Sequence, residues 1–218
     1  MRQTESLRPC LIAIALAIAL LAWPSAGRAQ LGGLLPPALP LPTAASTVSG
    51  NASAASVSVL GILGTASTSA LANTGTLSGV NDGRDASMVI GSLPFLSAET
   101  LSAATISWAD QVASEASLSN LSMNVAGVGI TADLVLARAS QVLGSAGSGS
   151  SILSNLSING IPVAVTGVPN QAVWIPGGQV IINEQTISST GTAVVNALHV
   201  AIAGVADVVI ASATAGIS

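Results

Sequence analysis

Over long stretches of this chain every second residue is aliphatic, and small residues fill the places between. Val194, Asn196, Leu198, Val200 and Ile202 alternate with Ala193, Val195, Ala197, His199 and Ala201. A period of two puts successive side chains on opposite faces of an extended strand, not along one stripe of a helix. Ser56 to Leu63 alternates in the same way. Thr105 to Val125 does so at greater length, with a slip of phase near Ser119 that predicts a bulge or a new strand. Ile130 to Leu143 would tolerate a helix, but its alternation favours a strand.

Composition points the same way. Half of the residues are apolar and only 6% are charged, so Ser, Thr, Asn and Gly must cover the surface. That mixture suits a pleated, half-buried surface and weakens helices. Turn signals divide the strands: Asn81-Asp82-Gly83-Arg84-Asp85, a Gly/Ser loop from Gly144 to Ser151, and Pro176-Gly177-Gly178 between Gln171–Ile175 and Gln179–Glu184. Met88 to Gly91 reads as a short strand. Gly191 and Gly204 separate Val194–Ile202 from its neighbours, and Asp207–Thr214 forms a last strand. Ala193 to Ala211 is the most apolar stretch beyond the N-terminal region. Asn196, His199 and Asp207 interrupt it, which favours paired buried strands over a membrane span. The expected fold is mainly β, a single antiparallel β-sandwich-like domain over residues 52–218, with a β-solenoid as the alternative.

The segment Leu118-Ser119-Asn120-Leu121-Ser122-Met123-Asn124 has an echo in Leu153-Ser154-Asn155-Leu156-Ser157-Ile158-Asn159. Two copies suggest paired or stacked equivalent strands.

The N-terminus carries an address. Arg2 and Arg8 precede an apolar run from Cys10 to Trp23. Pro24 ends it, and Gly27-Arg28-Ala29 offers small residues for cleavage after Ala29. The run is short for a membrane span, which needs about 20 residues. Residues 1–29 are therefore expected to be a cleavable signal for Sec export to the periplasm or the medium. Residues 30–51 follow as a flexible leader, where Pro36, Pro37, Pro40 and Pro42 favour an extended tether.

Cleavage would remove the lone Cys10, and with it all thiol and disulfide chemistry. Arg84 and Arg138 would remain against eight carboxylates, a net charge of −6, with no lysine anywhere. Such a surface repels phosphate backbones and anionic lipid, so nucleic acid and membrane are poor partners.

Few residues could run a reaction. His199 is the only histidine, with Asp207 or Glu184 able to orient it in a triad. No serine lies in a Gly-x-Ser-x-Gly elbow, and Gly147-Ser148-Gly149-Ser150 falls in the Gly/Ser loop. One histidine and no cysteine give no zinc ligand set after cleavage. Asn81, Asp82 and Asp85 lack calcium-loop spacing and read as a solvated turn beside Arg84. A glycosidase carboxylate pair would want aromatic sugar platforms, which one Phe, three Trp and no Tyr hardly supply. No catalytic, cofactor or metal site is expected.

Alternation predicts that Glu184, after Val180 and Ile182, and Asn196, between Val194 and Leu198, point inward. Buried polar groups need partners, so Asn183, Glu184, Asn196 and His199 are expected to form a structural polar network between adjacent strands.

Asn155-Leu156-Ser157-Ile158-Asn159-Gly160-Ile161-Pro162-Val163, Ile182-Asn183-Glu184-Gln185 and Val195-Asn196-Ala197-Leu198-His199-Val200 resemble segments of the choice-of-anchor P family. Gly129-Ile130-Thr131-Ala132-Asp133 is also similar. The likeness covers about residues 125–218 and reaches more weakly to Ala52. That family comprises bacterial exported domains carrying varied C-terminal anchors. This sequence shows no sorting motif, apolar tail or basic cluster at its end, so the resemblance implies export without anchoring, and no activity. The expected role is a non-catalytic structural or adhesive domain that associates with itself or with cell-surface or matrix components. The alternatives are a carrier of a small lipid-like ligand and a His199-dependent hydrolase.

Overall fold

In an antiparallel sheet the aliphatic parity of each strand must face the same side, and two such faces close on each other. A computed structural model describes residues 47–60, 66–93 and 95–218, all within one compact unit, Pro42–Ser218. The expected signal, the leader up to residue 46 and positions 61–63 of the Ser56–Leu63 strand lie outside the described residues. Thirteen strands follow in chain order: β1 (Val48–Leu60), β2 (Ala66–Asn73), β3 (Gly83–Leu93), β4 (Leu96–Ser107), β5 (Gln111–Val125), β6 (Val128–Val142), β7 (Ser148–Ser154), β8 (Ser157–Ile158), β9 (Ile161–Pro162), β10 (Gln171–Ile175), β11 (Gly178–Ile187), β12 (Ala193–Ile202) and β13 (Ala206–Ile217). There is no helix among the described residues, and so none long and apolar enough to cross a membrane.

The strands build two antiparallel sheets packed face to face, a β-sandwich with no closed barrel. The first runs β10-β11-β12-β13-β1-β2. The second runs β3-β4-β5-β6-β8-β9, with β7 also paired to β6. Every pairing is antiparallel, which sets aside the parallel stacking of a solenoid. The second sheet is one uninterrupted run of sequence set between the two parts of the first. β1 and β13 are neighbours in the first sheet, and Thr47 and Ser218 exchange backbone hydrogen bonds of 2.9 and 3.1 Å.

Both sheets carry a transverse row at which the strands change phase. In β5 the buried parity passes from Val112, Ala116 and Leu118 to Leu121, Met123 and Val125; Asn120 lies between, with φ 49°. In β6 it passes from Val128, Ile130 and Ala132 to Val135, Ala137 and Ala139, across Asp133. Thr100 in β4 (φ 49°) and Asn155 after β7 (φ 53°) continue the row. The first sheet has its own row, through Ala72, Ala54, Ala211, Ala197 and Asn183; Ala72, Ala211 and Asn183 have φ 46°, 52° and 53°. A left-handed residue rotates the strand by one position, so the aliphatic side stays on the core although the sequence parity has changed.

The slip expected near Ser119 is this row. The Thr105–Val125 stretch is nevertheless two strands, joined by a turn where the Trp108 amide bonds the Gln111 carbonyl at 2.8 Å. The repeated Leu-Ser-Asn-Leu-Ser segments do not pair with each other. They lie on the two sides of β6, and their asparagines, Asn120 and Asn155, flank Asp133.

Part of the Gly144–Ser151 loop is instead strand: residues 148–151 belong to β7. Composition hides this because β7 passes close under β12, and a Cβ on Gly149 would overlap Val195. The Pro176-Gly177 hairpin closes as expected, with Ile175 opposite Gly178 and Gly177 at φ 76°.

Candidate functional site

The phase row decides where the polar residues of the C-terminal strands go. Val180 and Ile182 of β11 are fully buried, and simple alternation would bury Glu184 beside them. Asn183 takes the left-handed conformation, so Glu184 turns to the outer face of the sheet with its side chain 25% exposed. The same shift between Ala197 and Leu198 leaves Asn196 half-buried on that face with His199. The expectation that Glu184 and Asn196 point into the core is thereby corrected.

On the outer face three neighbouring strands converge. His199 Nδ1 lies 3.0 Å from Glu184 Oε2 of β11, and Nε2 lies 3.1 Å from Asp207 Oδ2 of β13. Asn196 Nδ2 donates to the same Glu184 oxygen at 2.6 Å, and its Oδ1 accepts from Ser212 Oγ of β13 at 2.7 Å. Glu184, Asn196 and His199 are thus joined as the sequence suggested. Asn183 is not part of the group. It is buried, donates to the Gly167 carbonyl at 3.0 Å and accepts from Gln185 Nε2 at 2.8 Å.

Two members were missing from the expected network, Asp207 and Ser212. The signal for Asp207 was the hairpin at Gly204. That turn places Ala201 opposite Asp207, hence Asp207 diagonal to His199. Ser212 is opposite Asn196 in the same register.

Burial alone would lower the His199 pKa. The hydrogen bonds and charges of Asp207 and Glu184 outweigh it and hold the imidazole above its ordinary value of 6.5. A Ser-His mechanism needs one ring nitrogen on the nucleophile and the other on the orienting acid. Here both face carboxylates, so the arrangement holds a proton and does not activate a hydroxyl.

The turn at 81–85 is built around Asp82. Its Oδ2 accepts the Ser78 amide and hydroxyl, each at 2.7 Å, and Arg84 Nε at 3.3 Å. The Ser78 amide, then its hydroxyl, then Arg84 hold the carboxyl down at about 2. That oxygen is committed to protein donors, Asp85 points to solvent on β3, and no group of three metal-ligating side chains occurs among the described residues.

Sequence reasoning missed a second polar centre, between the sheets. Gln141 is buried on β6. Its Nε2 donates to the Ser145 and Thr190 carbonyls at 2.9 and 3.1 Å, and its Oε1 accepts the Ile217 amide at 2.9 Å. One amide side chain therefore joins β6, the β11–β12 turn and the last strand. Ser114 makes another bond between the sheets, donating to the Thr214 carbonyl at 2.6 Å. Nothing in the period-two pattern distinguishes Gln141 from the small polar residues around it.

The chain matches no family model, no curated protein and no solved structure in the comparisons made with each.

Proposed function

We propose that this chain is an exported, non-catalytic domain that works structurally or adhesively, through the free edges of its strands. One observation carries the reading. Edge strand β3 leaves Met88, Val89 and Ile90 39%, 83% and 70% exposed, with no charge from Ser87 to Leu93. A long uncharged edge is a template for pairing with another strand, and proteins ordinarily blunt it. Two other edges are blunted: β9 has two residues, one of them Pro162, and β10 is five residues long and stops at Pro176.

Export is supported by the charged, apolar and small-residue order of residues 1–29, and by the resemblance to the choice-of-anchor P family. The partners proposed are further copies of the domain or components of a cell surface or matrix.

Sedimentation velocity over a concentration series and a cell-retention assay test the reading. The cleaved protein is expected to associate with itself or to stay with cells, and Ile90→Lys is expected to abolish the contact while the fold survives. A wild-type protein that is strictly monomeric and retained by neither cells nor matrix overturns it.

A further inference from the structure

Glu184 and Asp207 are the only acids on the six strands of the first sheet, and His199 is the only histidine of the whole sequence. No arginine lies on those strands, and the chain has no lysine. All three ionisable groups of the sheet nonetheless meet on its outer face. The opposite neighbours of His199 are Ile181 on β11 and Val209 on β13, both uncharged. The strands beyond, β10 and β1, bring no ionisable side chain. β6 and β7 pack against the other side of β12.

Hydrogen-bond accounting then fixes the proton count. An ionised carboxylate only accepts, and a neutral imidazole has a single N–H. Contacts of 3.0 and 3.1 Å to two carboxylate oxygens are both made good only when both ring nitrogens carry protons. Ser212 donates to the Asn196 carbonyl oxygen, which orients the amide so that its NH2 faces Glu184. Glu184 Oε2 therefore receives two donors, as an ionised carboxylate should.

We propose that Glu184, His199 and Asp207 form a proton-dependent clasp across β11, β12 and β13, closed when the imidazole is a cation and open when it loses its proton. Closed, the cation donates to two carboxylates brought together on one apolar sheet, offsets one of their two negative charges and bridges the two strands that flank it. Open, one carboxylate loses its donor, and the two remaining negative charges have no cation on the sheet. β11 is held laterally by β12 alone on that side, and it carries the short edge strand β10. The hairpin β10–β11 is thus the element the proton secures. The inference is independent of the edge-pairing reading, because it concerns one folded chain.

The lone histidine makes the test direct, since its two ring nitrogens give the only imidazole signals of the full protein. In an NMR titration both nitrogens are expected to be protonated at pH 6, with a midpoint above the ordinary 6.5. Asp207→Asn, at a side chain 59% exposed, is expected to lower that midpoint without unfolding the domain. Amide hydrogen exchange of Glu184 and Gln185, corrected for intrinsic rates, is expected to quicken several-fold above the wild-type midpoint. Three results would each overturn the clasp: a single-N–H tautomer at pH 6, a midpoint at or below 6.5, or β11 exchange that ignores the titration.

Discussion

Gln141 and Thr100 show two opposite uses of a single side chain. Gln141 satisfies three backbone groups from one buried position, two of them carbonyls in turns and the third the Ile217 amide. Removing a partner from a buried donor costs about 1–3 kcal/mol, more than the bond itself contributes on average. Gln141→Leu keeps the apolar volume but leaves the Ile217 amide without an acceptor. It is expected to cost about 2–3 kcal/mol in urea unfolding, with an unchanged m-value. Thr100 bears a cost instead. It is exposed, β-branched, and held at φ 49° in the phase row of the second sheet. Asn tolerates that conformation better, and Asn120 and Asn155 fill it elsewhere in the same row. Thr100→Asn is expected to stabilise by about 0.5–1 kcal/mol, measured as a raised urea midpoint. A fall in stability would mean that the hydroxyl makes a contact worth more than the relief of strain.

At the scale of strands, the alternation was legible and the phase rows were largely not. Periodicity finds β12, the Pro176-Gly177 hairpin and the last strand, because one face of each is buried and the other is not. It points Glu184 the wrong way because a single left-handed residue, Asn183, inverts every position after it. Asparagine at such a position is a weak signal, since asparagine is equally at home in turns, and Ala72 and Ala211 give no signal at all. The polar group on the outer face was half legible: cross-strand partners can be named once register is known, and register comes from turns. The same limit hid β7. Gly147 to Gly149 reads as a flexible loop, whereas the missing side chain at 149 is what lets β7 lie against β12. Gly149→Val would drive its side chain into Val195 and the Arg138 carbonyl. Overpacking of this kind costs about 1–3 kcal/mol. The expected result is a lower melting temperature and faster amide exchange along β7 and the adjoining part of β6. Unchanged exchange there would show that the sheets can part at no cost.

For the molecule as a whole, two ionisable groups with shifted affinities bound the pH range of greatest stability, from opposite sides. Asp82 is depressed from 3.8 to about 2, so its contribution is present above 3.8 and is lost as pH falls through about 2. His199 is raised above 6.5, so its contribution is complete below 6.5 and is lost as pH climbs through the folded-state value. The two effects leave a plateau between 3.8 and 6.5, on the acid side of neutrality. Asp82, 24% exposed in its turn, sets the acid limit, and His199, 18% exposed between two carboxylates, sets the alkaline one. Melting temperature is expected to be highest near pH 5 and to decline by pH 8.5. A loss of about 1 kcal/mol would correspond to roughly 2–4 °C for a domain of this size. His199→Gln removes the titrating group but can still hydrogen-bond both neighbours, so its profile should be flat from pH 5.5 to 8.5. Salt separates this from general charge repulsion. With eight acids and two arginines beyond Ala29, screening of the whole surface would raise stability evenly across that range. Screening should leave the difference between wild type and variant largely in place, because both clasp pairs are in direct contact and the His199–Glu184 pair is half-buried. If 0.5 M salt erased the alkaline decline in both proteins equally, the decline would belong to net charge and not to His199.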